Sequence, residues 1–201
     1  MFITWYGHAC FKIESGDYSV VADPFTSVPG YDELQLEANC VIASHGHFDH
    51  NYFDAVSIKP SREQKIQVTK IPSFHDNCGG TQRGTNTIHL LEAEDMRVVH
   101  LGDLGHLLND DQLKQVFQCD VLLVPVGGFY TIDSHMAHQV CEQVQPRIIV
   151  PMHFRYDGKG LEKVTGVEGF LEYYSDELIK KYPDHRIEVT RDTPHQVALL
   201  K

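Results

Sequence analysis

The chain has 201 residues, 42% of them hydrophobic, enough to bury a substantial core within a single domain spanning residues 1–201. Its formal net charge of -11 disfavours a nucleic-acid backbone or an anionic membrane as partner. No stretch approaches the ~20 apolar residues needed to span a bilayer, and the amino terminus from Met1 to His8 lacks the basic-then-apolar pattern of a signal peptide. Cys10, Cys40, Cys78, Cys119 and Cys141 are odd in number and form no CxxC pair, which suits reduced thiols and a cytoplasmic location. Cys78, in a Gly-rich stretch, is the one cysteine singled out for reactivity.

Taken in chain order, strand patterns come first. Phe2 to Tyr6, Ala9 to Glu14 and Tyr18 to Ala22 read as a meander, with Ser15-Gly16-Asp17 as a turn and Asp23-Pro24 closing the third strand. Further strands are expected at Cys40 to Ala43, Lys65 to Ile71, Asn86 to Glu92, Met96 to Leu101, Val121 to Val126, Arg147 to Pro151, Arg186 to Thr190 and Gln196 to Leu200. Helical spacing appears at Asn109 to Gln118, at Ser134 to Val144 and at Val167 to Lys181 before Pro183. Meandering strands followed by strands interleaved with helices predict a layered α/β domain.

Residues 44 to 50, Ser-His-Gly-His-Phe-Asp-His, follow the apolar run Val41-Ile42-Ala43 and carry the most chemistry. Imidazole and carboxylate suit Zn²⁺ and its neighbours. His45 and His47, two apart, point the same way in an extended segment and can grip one cation. Asp49 and His50 follow where the chain is expected to bend into a short helix, aimed at a second cation. Three single residues at strand ends, His75, Asp103 and His153, could complete such a pair of sites. His89 reads as a surface or sheet residue, and His100 as a residue that points away or lies deeper as a core imidazole. His8 and His106 could orient a ligand or touch substrate, as could Tyr130, beside Gly127 and Gly128 on the pocket rim. Arg83 could meet an anionic substrate group, though a solvated loop arginine is the favoured reading.

The ordered set His45, His47, Asp49, His50, His75, Asp103, His153 resembles the metallo-β-lactamase superfamily of metal-dependent hydrolases. The opening Trp5-Tyr6-Gly7-His8-Ala9-Cys10-Phe11 and the Asp23-Pro24-Phe25 turn are similar to a small bacterial and archaeal branch related to ascorbate-6-phosphate lactonase. The resemblance runs from about Trp5 to His153. It implies a four-layer αββα fold, two mixed sheets between helices. It also implies two divalent ions, Zn first with Mn, Fe or Ni as alternatives. His45, His47 and His75 would hold one, Asp49, His50 and His153 the other, and Asp103 would bridge both. A hydroxide between them would attack a small ester, lactone or phosphodiester, with Asp49 orienting the water and accepting its proton.

His47 stands where flavin-linked diiron relatives carry Glu, which disfavours redox chemistry. The chain also lacks the inserted clamp of nucleic-acid-cleaving members, which favours a small-molecule substrate. A metal-dependent nuclease or phosphodiesterase, and a metal-stabilised binding module without turnover, are the alternatives; homo-oligomerisation stays open.

Overall fold

The computed structural model describes residues 1–61 and 63–201. Strands β1 (Phe2–Gly7), β2 (Cys10–Ser15) and β3 (Tyr18–Ala22) form the expected antiparallel meander. β4 (Leu36–Ala38) and β5 (Cys40–Ile42) follow, then a 3-10 turn at Phe53–Ala55 and β6 (Val56–Ile58). Next come β7 (Gln67–Phe74), β8 (Thr85–Ala93), β9 (Met96–His100), α1 (Asp110–Val116), β10 (Val121–Pro125), α2 (Ser134–Val144) and β11 (Ile148–Met152). The chain ends with α3 (Glu168–Leu171), β12 (Ile179–Tyr182), β13 (Arg186–Glu188) and β14 (Gln196–Leu200).

Two mixed sheets result. The first has the order β13-β1-β2-β3-β5, with β5 parallel to β3; the second has the order β12-β14-β11-β10-β9-β8-β7. β10 and β11 sit centrally between parallel neighbours, and their runs Val-Leu-Leu-Val-Pro and Ile-Ile-Val-Pro-Met are buried throughout, as strands covered on both faces must be. β1 alternates partly exposed and buried residues, so one of its faces turns to the core. Pro72 is tolerated in β7 because β7 is the sheet edge. Ile3, Trp5, Phe11, Ile13 and Val20 of the first sheet share one apolar cluster with Ile71, Ile88, Val98, Leu122 and Val150 of the second.

The helices form one outer layer. Ala137, Val140, Cys141 and Val144 make the buried stripe of α2, each Val contributing roughly 1.5–3 kcal/mol on burial. Asp133 caps that helix by accepting from Met136 N, and Asn109 and Gln112 form a reciprocal capping box on α1. The opposite outer layer is the segment between β3 and β7. Phe25, Val28, Ala38, Ala55 and Val56 cover Cys10 and Val21 there, so this layer of the αββα sandwich is thinned to a 3-10 turn and the two-stranded pair β4-β6. No helix among the described residues is long and apolar enough to cross a membrane.

Three expectations are corrected. The helix predicted over Val167 to Lys181 stops at Leu171, because Ile179–Tyr182 pairs in parallel with β14 at the sheet edge and that tertiary pairing overrides the local helical spacing. The chain from His47 to His50 is a single turn closed by His50 N donating to His47 O (3.0 Å), not a short helix. β7 runs on to Phe74, three residues past its expected end, so that His75 follows the strand directly.

Candidate metal centre

Every residue of the site follows the carboxyl end of a strand. His8 comes after β1, Asp23 after β3, the His45–His50 segment after β5, His75 after β7, Asp103 after β9 and His153 after β11. β1, β3 and β5 run in one direction in the first sheet, as do β7, β9 and β11 in the second, so both sheets deliver their ends to a common rim. His153 N and Trp5 Nε1 both donate to His8 O (each 3.0 Å), which fastens the rim of one sheet to the other. Trp5 is buried and stacks on Phe154, with ring centroids 5.3 Å apart.

The backbone makes unusual turns here. His8, Asp23 and His153 adopt left-handed conformations (φ 52°, 50° and 52°), which cost non-glycine residues energy and persist only where the surroundings fix them. Gly102 (φ 56°) is required next to Asp103, since a Cβ there would lie 2.4 Å from both Ser44 Cβ and Asn86 Oδ1. Asn86 in turn donates to Ser73 Oγ and Leu101 O and accepts from Asp103 N (3.0 Å), holding the strand end that carries Asp103.

The sequence-predicted ligands meet. One group is His45, His47 and His75; a second is Asp49, His50 and His153 together with His8; within each group the ligating atoms lie within 4.8 Å of one another. Asp103 stands between them. Its Oδ1 is 3.2 Å from His50 Nε2, while its Oδ2 is 3.2 Å from His75 Nε2, 3.3 Å from His153 Nε2 and 3.9 Å from His45 Nε2. Burial acts to raise the Asp103 pKa, but the His153 and His50 imidazoles outweigh it and hold the carboxyl well below its usual range.

Asp23 escaped the sequence reading as a site residue, where Asp23-Pro24 stood only as a turn. It is fully buried and accepts from Ser44 N and Ser44 Oγ (both 2.6 Å), and its Oδ2 lies 2.8 Å from His50 Nδ1. Because Ser44 Oγ spends its proton on Asp23, His45 Nδ1, 2.9 Å away, must be the donor to that hydroxyl. One carboxylate thus anchors two histidines, directly for His50 and through Ser44 for His45, and turns both Nε2 atoms to the centre, where the neutral rings present lone pairs. Burial works to lower the His50 pKa; Asp103 and Asp23 outweigh it and hold it well above the ordinary histidine value.

His8 joins the cluster that it was expected at most to support. Its Nε2 is 3.2 Å from Asp49 Oδ2 and its ring lies 4.0 Å from that of His153. Burial first, and then the neighbouring His153, lower its pKa to about 4, so it is neutral near pH 7 and donates Nε2–H to Asp49. Burial raises Asp49 while the His8 hydrogen bond and His50 lower it, and the balance brings the carboxyl to about 2. His100 is the core imidazole anticipated: Nδ1 accepts from Gly102 N (3.1 Å) and Nε2–H donates to Ala9 O (2.9 Å). His89 is the sheet residue of the two alternatives, fully buried in β8. His106 stays outside the cluster, its half-buried ring accepting from Phe74 N at the end of β7. Cys78 is the exposed cysteine, and all five thiols are free.

The arrangement fits divalent cations on its donor chemistry. His45 Nε2, His50 Nε2, His153 Nε2 and Asp103 Oδ1 are buried without a hydrogen-bond partner, an arrangement proteins avoid unless another group satisfies those atoms. Three ionised carboxylates, Asp23, Asp49 and Asp103, add a field that favours positive charge. A cavity of about 360 Å³ opens on this cluster, lined by His47, Phe48, Asp49, His75, Gln82, Arg83, Asp103, Tyr130 and Leu161. A larger cleft of about 580 Å³, between Tyr31, Tyr156 and His185, includes none of the clustered His and Asp side chains.

Comparison with known proteins agrees with this geometry. The family model of the β-lactamase superfamily domain matches residues 2–153. A UPF0173 protein of Pyrococcus abyssi is 30% identical over 201 aligned residues, covering 85% of this chain and 89% of its own. A UPF0173 metal-dependent hydrolase of Archaeoglobus fulgidus is 31% identical over 196 residues, 77% of this chain and 83% of its own. Among solved structures, a Thermotoga maritima protein assigned as a Zn-dependent hydrolase of the metallo-β-lactamase superfamily superposes with a TM-score of 0.75 at 28% identity, covering 98% of this chain and 97% of that one. The strand-end cluster, the two mixed sheets and these relatives together mean that the chain belongs to the metallo-β-lactamase superfamily of metal-dependent hydrolases, within its UPF0173 family.

Proposed function

We propose that the protein hydrolyses a small ester, lactone or phosphodiester at a centre of two divalent cations, Zn first with Mn, Fe or Ni as alternatives. The observation that carries this reading is Asp103, one carboxylate facing imidazoles of both ligand groups across 3.2 to 3.9 Å. His45, His47 and His75 would hold one ion, Asp49, His50 and His153 the other, with Asp103 shared. Bound there, the cations would lower the pKa of a shared water and polarise the substrate oxygen.

The remaining steps belong to the chain's own groups. Asp49 lines the cavity, stays ionised and is held by the His8 N–H, so it can orient the attacking water and accept its proton. It returns that proton to the departing oxygen as the scissile bond breaks. The donated N–H favours His8 as the residue that aims Asp49 over a role as a further ligand. Asp23 and Ser44 keep His50 and His45 in register throughout.

Metal analysis of protein purified without chelator, joined to turnover of an ester, lactone and phosphodiester panel, tests the reading. Two equivalents of metal per wild-type chain are expected, and Asp49→Asn, assayed with metal in excess, should lower kcat by about 10²- to 10⁴-fold. A single equivalent, or full turnover in Asp49→Asn, would count against it.

A further inference from the structure

Besides His47, Asp49, His75 and Asp103, the cavity is lined by Gln82, Arg83 and Tyr130 and by the apolar Phe48 and Leu161. Arg83 is the one Lys or Arg among the lining residues. Its backbone N–H donates to Asp76 Oδ2 (2.8 Å) and its guanidinium donates to Phe129 O (2.9 Å), so both ends of the residue are tied down. No carboxylate of the described residues lies within 4.0 Å of that guanidinium. A solvated loop arginine would swing freely; this one is held at the cavity with most of its five N–H donors uncommitted.

The loop that presents it is equally constrained. Asp76 is 3% exposed and its carboxylate accepts four backbone N–H groups, from Cys78 (2.9 Å) and Gly80 (2.8 Å) on Oδ1 and from Gln82 (2.9 Å) and Arg83 (2.8 Å) on Oδ2. Gly105 backs directly onto this corner, since a Cβ there would lie 2.3 Å from Asp76 N. One carboxylate thus pins residues 76 to 84 between His75 and Arg83, both of which line the cavity.

We infer that the substrate is a small anion, carrying a carboxylate or phosphate monoester that pairs with Arg83 while its scissile bond faces the histidines. Arg83 is the specificity-determining residue and Asp76 its positioning residue. The volume of about 360 Å³ restricts the occupant to a small molecule, and the planar fork of Arg83 suits two oxygens of one anionic group. The inference rests on the hydrolase reading for its scissile bond but not for its anion.

The test compares mono-p-nitrophenyl glutarate with p-nitrophenyl pentanoate, esters of similar length that differ by a carboxylate, using the metal-loaded protein. The wild type should prefer the anionic ester. Arg83→Gln should reduce the ratio of the two kcat/KM values about tenfold or more, chiefly through KM, and Arg83→Glu should bring it below one. Arg83→Lys should restore part of the preference, which a merely structural role would not do. Calorimetric titration with glutarate and with glycerol phosphate separates the carboxylate from the phosphate as the favoured anion. If neither ester turns over yet wild type binds one of these anions and Arg83→Glu does not, the anion site stands and the ester branch of the hydrolase reading falls. A ratio indifferent to Gln and Glu at position 83, with no anion affinity altered by them, overturns the anion site and leaves the hydrolase reading intact.

Discussion

The two halves of the His and Asp cluster are held in different ways. His45 and His50 have their outer nitrogens anchored by Ser44 Oγ and Asp23, whereas His75 Nδ1 and His153 Nδ1 find no partner among the described residues. The first half is positioned by hydrogen bonds that also choose its tautomers. The second is positioned by backbone, with His153 in a left-handed turn and His75 pressed against the Gly105 corner. The contrast shows two routes to the same preorganisation, and only the first sets which imidazole nitrogen is presented.

The largest effect should come from removing what the halves share. Asp103→Ala should lower metal content at both ion sites and turnover by roughly three orders of magnitude or more; loss confined to one equivalent would mean that the two ion sites do not share this carboxylate. Asp23→Asn strikes the anchored half alone. Metal affinity should fall about 10- to 100-fold at the site holding His50, which Asp23 touches directly, and less at the site holding His45, which it reaches only through Ser44. Equilibrium dialysis would reveal the alternative, an equal loss at both sites.

The smallest effect concerns proton uptake by chelated protein. His8 has a folded pKa of about 4 against an ordinary value near 6.5, so on acidification the unfolded chain takes up that proton first. Its contribution to stability is complete above pH 6.5 and lost as the pH falls to 4, up to about 3 kcal/mol for a shift of this size. His50, with its pKa raised, acts in the opposite sense: its contribution is present below pH 6.5 and fades as pH rises through the folded value. His8→Gln should therefore flatten the decline of the melting temperature between pH 6.5 and 4, and a variant as steep as wild type would refute the assignment.

The legible parts of the sequence were those in which chemistry is local. His45, His47, Asp49 and His50 fall within six residues, and His75, Asp103 and His153 stand out because apolar runs end just before them. Asp23 was illegible because its partners Ser44 and His50 are 21 and 27 residues away, and an Asp-Pro pair reads as a turn whatever it touches. Asn86 was hidden inside a strand pattern for the same reason. The truncated third helix marks the other limit, since the pairing of Ile179–Tyr182 with β14 depends on a sheet edge that local periodicity does not describe. Arg83 was visible as a residue, but its fixation depends on the four amides gathered by Asp76.

Trp5 is the chain's one tryptophan. Its indole N–H donates to the carbonyl of His8, the same oxygen that takes the amide of His153, and its ring lies on Phe154. The molecule thus carries an intrinsic fluorophore wired to the junction between its two sheets, one bond network behind the cluster. Its emission intensity and wavelength offer an optical record of how that junction tightens or slackens, in a protein free of any attached label.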